Sequence, residues 1–231
     1  MVFDMTTAQN ITLRRTSTAQ QVADGLADAI MRGELPPGSP IKESGLATSL
    51  GISRNTVREA VRILELGGLV RYTMHHGFAV VEPSQEDLLE LYRARMALEL
   101  SAVRVPRTSE ELAPVRAALE ALMETYKSKD PAEIAARDLE FHAAIVGMLQ
   151  SKRIDSFYAQ LAKELRFLLM VLSLEEREFE IQTGVIEEHQ SIMAALESGD
   201  PDHAVDVLSE VLSVNADKVL AIFAARVSAT G

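Results

Sequence analysis

No cysteine occurs in the 231 residues, which excludes disulfides and thiolate metal sites and fits a cytoplasmic protein. No stretch approaches the ~18 consecutive apolar residues that a membrane span needs, and no signal-peptide pattern leads the chain. The expectation is therefore a cytoplasmic protein with no membrane partner. A glycine-rich cofactor loop, internal repeats and low-complexity tracts are also missing, and beyond residue 82 no convincing strand pattern appears. Positive charge is scarce as well: 23 Lys+Arg stand against 34 Asp+Glu, a net charge of −11. A chain so acidic is repelled by nucleic acid as a whole, so a locally basic face would have to do any such binding. The charge is unevenly shared. Residues 1–82 carry 8 basic and 8 acidic side chains, whereas residues 83–231 carry 15 and 26.

Such a face is present in residues 51–62. At about 100° per residue, Arg54, Asn55, Arg58 and Arg62 fall within one arc of roughly 80–100°, with Val57, Ala60, Val61 and Leu64 opposite. Ser53 stands at the N-cap position, its hydroxyl placed to accept from a first-turn amide. A helix built this way packs by its aliphatic back and offers guanidinium and carboxamide groups outward, the groups that reach base edges and phosphates in a major groove. Taken alone, it could equally be a solvated basic face, and the flanking segments decide between the two. Upstream, Val22, Leu26 and Ile30 form a helical stripe from about Thr18 that ends at Gly33, and Leu35-Pro36-Pro37-Gly38 prevents continuation. Lys42 to Leu50 reads as a short helix broken by Gly51. Two short helices joined through a glycine turn, the second basic, form the helix-turn-helix pattern. Downstream, Leu69–Tyr72 and Phe78–Val81 are β-rich runs around Thr73-Met74-His75-His76-Gly77, a hairpin in the position of a wing. The expected N-terminal unit is a winged helix of three helices and a small β-hairpin over residues 18–82. Residues 1–17 form a polar arm, in which Arg14 and Arg15 are candidates for an added phosphate contact.

A short linker, residues 83–86, leads to an all-helical half over residues 87–231. The expected helices run from Leu88 to about Val105, from the capping box Thr108-Ser109-Glu110-Glu111 to about Lys127, and from Asp130-Pro131 to about Leu149. Three more run from Ser151 to Leu172, Val185 to Glu197, and Asp200-Pro201 to about Arg226, with Ser173–Gln182 as a loop or frayed turn. The fold class is mainly α, the second half an antiparallel bundle of six or seven helices. Within it, Asp138 and His142 lie four residues apart on one helical face. A carboxylate and an imidazole so placed suit a divalent ion, with His189 from another helix completing the set. A buried hydrogen-bonded Asp138–His142 pair without metal is the competing reading. Read by themselves, Arg95 and Arg166 are candidates for interhelix salt bridges.

The stretch from Thr18 to Glu82 resembles the DNA-binding domain of the GntR family of bacterial transcription regulators. The likeness is carried by Gly33-Glu34-Leu35-Pro36-Pro37-Gly38, Glu43, Leu46-Ala47, Gly51-Ile52-Ser53-Arg54, Val57-Arg58-Glu59-Ala60, Gly68-Leu69-Val70 and Gly77. The helical half resembles the effector-binding FCD-type domain of the FadR subfamily, through Arg95-Met96-Ala97-Leu98-Glu99, Asp138-Leu139-Glu140-Phe141-His142 and Glu188-His189-Gln190-Ser191-Ile192. The resemblance implies a homodimer that binds a palindromic operator. Arg54, Asn55, Thr56, Arg58 and Arg62 would act from the recognition helix and His76 from the wing tip, while Ser44 stands where some members carry a contacting arginine. It further implies a small effector, of which a carboxylate is the expected type, held near Arg95 and Arg166. Many members also hold zinc, nickel or a similar divalent metal on one aspartate and three histidines. Asp138, His142 and His189 match three of these; Val211 occupies the position of the third histidine. The alternative function class is a metal-dependent enzyme or metal sensor built on Asp138, His142 and His189.

Overall fold

The computed structural model describes residues 16–127, 131–175 and 184–230. Residues 1–15 of the arm, with Arg14 and Arg15, and the Asp130 cap lie outside the described residues. Helix α1 (Thr18–Met31) is capped by Ser17, whose hydroxyl accepts from the Gln20 amide, and Gly33 takes the left-handed conformation just past its end. Helix α2 (Glu43–Leu50) ends at Gly51, φ 65°, and α3 (Arg54–Leu66) starts at its Ser53 cap, with the Ser53 hydroxyl accepting from the Thr56 amide. Both caps and the glycine turn are where local chemistry puts them.

Strands β2 (Val70–Thr73) and β3 (Gly77–Val80) form the hairpin, with Tyr72 opposite Phe78 and their rings edge-to-face at 5.1 Å. A third strand, β1 (Pro40–Ile41), pairs antiparallel with the other side of β3, giving the order β1-β3-β2. Two residues carry no readable alternation, so β1 escapes a pattern-based reading. Its proline sits on an edge, where a missing amide is tolerated. The winged-helix core joins Ala19, Ala23 and Ile30 of α1 to Val57, Ala60, Val61 and Leu64 of α3, with Val70 and Val80 of the hairpin.

Among the described residues six helices follow: α4 (Gln85–Val103), α5 (Ala113–Thr125), α6 (Pro131–Gly147), α7 (Lys152–Glu175), α8 (Val185–Glu197) and α9 (Pro201–Thr230). Several boundaries differ from expectation, α9 among them, which runs four residues past the expected end at Arg226. Helix α4 starts inside the expected linker, because Ser84 and Asp87 form a capping box. The Thr108–Glu111 box does form, but it closes only a turn, and the regular helix begins at Ala113 beside Pro114. Helix α7 continues through 173–175, residues read from the sequence as loop. Asp200 caps α9 by accepting from the amides of Asp202 and His203.

The buried face of α4 is a heptad stripe of Leu88, Tyr92, Arg95, Glu99 and Ala102, so two charged side chains sit in phase with the apolar ones. One side chain of the bundle joins the other half: Phe167 of α7 is 2% exposed and belongs to the winged-helix core. Beside it, Glu164 packs on Gly68, where an added Cβ would lie 2.5 Å from the glutamate Cγ. Phe167→Ala should therefore destabilise the winged helix although it lies outside that unit. A buried Phe→Ala change costs about 3–5 kcal/mol. Amide exchange should quicken in α1 and α3, and unchanged protection there would show that the two halves are not packed through this side chain.

Candidate functional site

The outer face of α3 presents Arg54, Asn55 and Arg62 to solvent, and Thr56 sits half-buried with its hydroxyl 2.8 Å from that of Ser53. Arg58 is 50% exposed, yet it is not free. Its Nε and Nη2 donate to Glu43 Oε1 and Oε2 of α2, each at 3.0 Å, a bidentate fork that ties the two helices of the motif together. That bond raises the Arg58 pKa and lowers that of Glu43. Helical periodicity places Arg58 on the outward arc of α3, and its partner on another helix lies beyond the reach of local spacing. His76 is exposed at the hairpin tip, beside His75 in a left-handed conformation.

The bundle holds the second group. Asp138 and His142 of α6 and His189 of α8 bring one ligand atom each to within 4.8 Å of one another. The sequence-level pairing of Asp138 with His142 is replaced by two other pairs. His142 Nδ1 donates to Glu99 Oε2 at 2.7 Å, and His189 Nε2 lies 2.9 Å from Asp138 Oδ1. Spacing of four shows only that Asp138 and His142 share a face. The partners that win, Glu99 for His142 and His189 for Asp138, come from α4 and α8, which local spacing cannot see. His189 Nδ1 donates to the Val185 carbonyl at 2.6 Å, while its buried Nε2 has no aligned hydrogen-bond partner among the described residues.

Arg95 is 1% exposed rather than open to a ligand. Its Nε donates to Glu99 Oε1 at 2.8 Å, its guanidinium lies 5.4 Å from the Tyr92 ring centroid, and its buried Nη2 has no hydrogen-bond partner among the described residues. Tyr158 of α7 donates to the same Glu99 oxygen at 2.6 Å. Glu99 and Tyr158 carry structure that the sequence reading did not assign. The available signal for Glu99 was its i,i+4 spacing from Arg95, in phase with Leu88 and Tyr92. Arg166 is exposed on α7, apart from the buried polar residues around Arg95. Val211 is half-buried on α9 and packs against the apolar cluster that includes Leu208 and Leu212. A cleft of about 420 Å³ between the two halves, lined by Arg71, Asp87, Leu91, Phe157 and Glu164 among others, includes none of these groups.

The electrostatics follow from burial against charge pairing. Burial pushes the Glu99 carboxyl up, but Arg95 and His142 outweigh it and hold its pKa at about 2. Burial likewise opposes ionised Asp138, and His189, His142 and Arg95 together lower its pKa nonetheless. Burial lowers the His189 pKa, and the adjacent Asp138 carboxylate raises it by more. With Nδ1–H donated on both imidazoles, each neutral ring keeps its Nε2 lone pair for another partner. This set of one carboxylate and two imidazoles, with His189 Nε2 buried beside Asp138 Oδ1, fits a divalent cation.

Two family patterns match this chain: bacterial regulatory proteins of the gntR family over residues 18–80, and the FCD domain over residues 90–214. The chain belongs to the GntR family. It is 32% identical to the "Probable D-xylose utilization operon transcriptional repressor" of Paenarthrobacter nicotinovorans, over 85% of this chain and 86% of that one. A solved GntR protein of Rhodococcus sp. RHA1 superposes with a TM-score of 0.76 at 30% identity, covering 89% of this chain and 99% of that one. Escherichia coli McbR/YncC superposes with a TM-score of 0.69 at 25% identity, covering 89% and 98%. The GntR chain is thus a ligand-responsive DNA-binding transcription regulator with an FCD effector domain. The family consists of regulators, and it lends no support to the alternative of a metal-dependent enzyme or metal sensor. Among the described residues, no helix is long and apolar enough to cross a membrane.

The shifted groups set a pH window for the regulator. Glu99 and Asp138 have folded-state pKa values below their ordinary 4.5 and 3.8, so their stabilisation is full above about pH 4.5 and is lost as pH falls through the depressed values. His189 is raised above 6.5, so its contribution is full below pH 6.5 and is lost as pH rises through the raised value. In the presence of EDTA, the Tm difference between the parent and His189→Ala should be greatest between about pH 4.5 and 6.5 and shrink on both sides. A difference independent of pH would rule out the Asp138–His189 ion pair.

Proposed function

We propose that this GntR regulator acts in the cytoplasm as a homodimer on a palindromic operator. Two-fold symmetry doubles the few base contacts that one recognition helix makes. Arg54, Asn55, Thr56, Arg58 and Arg62 read or clamp the major groove, and His76 reaches from the wing. The observation that carries this reading is the polarity of α3, which buries Val57, Ala60, Val61 and Leu64 and turns three arginines and one asparagine outward. The Glu43 fork presents Arg58 in a fixed orientation, and DNA takes over or shares its free edge. The acidic bundle stays away from the duplex.

The effector of this reading is a small carboxylate received at the FCD cluster. Asp138, His142 and His189 would hold a zinc or nickel ion, with Val211 contributing no lone pair where a fourth ligand would stand. When bound, the ion supplies positive charge and open coordination positions for water or a carboxylate. The charge balance supports an anion. Arg95 and Glu99 cancel, and Asp138 leaves one negative charge, which a divalent ion reverses to one positive. The unpartnered Arg95 Nη2 adds an N–H for a carboxylate oxygen. Arg166, exposed as it is, would contribute only from the rim.

The test is an operator-shift assay on an inverted repeat selected from random DNA, followed by a screen of small carboxylates, neutral sugars and amines. Arg58→Ala should lose specific binding, since a bidentate base contact is worth about 1–3 kcal/mol per subunit. An Arg58→Ala protein that shifts operator like its parent refutes the recognition-helix assignment, and a response confined to neutral or cationic compounds refutes the carboxylate. Val211→His should raise zinc affinity measurably by completing the ligand set. Unchanged affinity would show that residue 211 does not face the cluster.

A further inference from the structure

Glu99 belongs to none of the roles assigned so far, yet it is the most enclosed charge among the described residues. Its carboxylate is 0% exposed. Oε1 accepts from Arg95 Nε at 2.8 Å and from the Tyr158 hydroxyl at 2.6 Å, while Oε2 accepts from His142 Nδ1 at 2.7 Å. An ionised carboxylate only accepts, so the proton of that last bond belongs to His142 Nδ1. A neutral imidazole has one N–H, so this bond leaves the lone pair on Nε2. His189 gets the same treatment from the Val185 carbonyl, a backbone group that no substitution at residue 185 removes.

We propose that Glu99 is a positioning residue for the ligand set. By holding the His142 proton on Nδ1, it keeps the Nε2 lone pair directed with Asp138 and His189 toward one divalent cation. The inference rests on the metal reading given above. It goes further, since it makes the tautomer of His142 depend on a residue of α4 that itself touches no ion. Carboxylates that orient a metal-binding imidazole in this way strengthen metal affinity, and removing them costs 10–100-fold.

The two donors at Oε1 make Glu99→Gln a sharp test. Arg95 Nε–H and the Tyr158 O–H both demand an acceptor there, so the glutamine carbonyl oxygen is held at that side. Its NH2 group then faces His142 Nδ1, which must become the acceptor. The His142 proton moves to Nε2, and one ligand is lost without any change in side-chain volume. Full-length parent, Glu99→Gln and His142→Ala are stripped with EDTA and titrated with zinc ions alone against a chromophoric chelator. The His142 tautomer of each metal-free protein that retains the ring is read from long-range ¹H–¹⁵N NMR couplings. The parent should show the proton on Nδ1. Glu99→Gln should show it on Nε2, melt cooperatively, and bind zinc about 10–100-fold more weakly. A Glu99→Gln protein within about threefold of the parent in zinc affinity, while His142→Ala is impaired, overturns the role of Glu99 and leaves the metal reading standing. A parent that binds no zinc overturns both. A metal-free parent with its His142 proton on Nε2 overturns the proposal even if Glu99→Gln does not fold.

Discussion

A carboxylate with no access to water must have its lone pairs answered by donors, and the bundle is arranged around meeting that demand at Glu99. The donors come from three helices: Arg95 one turn back on α4, Tyr158 on α7 and His142 on α6. Arg95 is in turn enclosed against Tyr92, and its Nη2 has no hydrogen-bond partner among the described residues. Replacing such a pair with apolar side chains can leave stability unchanged, whereas removing one partner leaves an uncompensated buried charge. Stability alone therefore gives little reason to place these charges in the core. The reason lies in what they hold in place: an imidazole with a defined tautomer, opposite Asp138 and His189.

The same contacts bear on how a bundle-bound ligand could reach the DNA-binding half. Helix α7 bonds Glu99 through Tyr158 and, nine residues further on, places Phe167 inside the winged-helix core. Glu164, between them, rests on Gly68 where the recognition helix has just ended. One continuous helix thus touches the buried cluster and the base of the DNA-binding unit. On the DNA side, the Glu43–Arg58 fork links α2 to α3, so the recognition surface is held by an ion pair as well as by its apolar back. The charge distribution suits this division, with a neutral N-terminal half carrying the basic helix face and the acid concentrated in the bundle.

Much was legible in the chain because it depends on neighbours within a turn or two. The Ser53 cap, the Gly51 turn, the buried and exposed faces of α3, the Asp200 cap and the limits of α8 all follow from 3.6-residue periodicity and local capping, and the structure shows each of them. Convergence of Asp138, His142 and His189 was also legible, with the family likeness supplying His189. Arg95 shows where such reading stops. The family likeness suggested an anion contact, but the phase of Arg95 with Leu88 and Tyr92 was the better guide, and it lies in the core beside Glu99.

The sequence by itself determined most of the helices and caps, the buried and exposed faces of α3 and the family, since these rest on interactions between residues a few positions apart. Only the tertiary structure decided which partner each buried polar group takes. Glu99 and His142 are 43 residues apart, Glu99 and Tyr158 are 59 apart, and the Arg58–Glu43 fork spans 15. The two-residue strand β1 exists only because β3 offers it an edge. Such pairings depend on helix packing and on the competition among all nearby donors and acceptors for each buried group, and no local spacing records that competition.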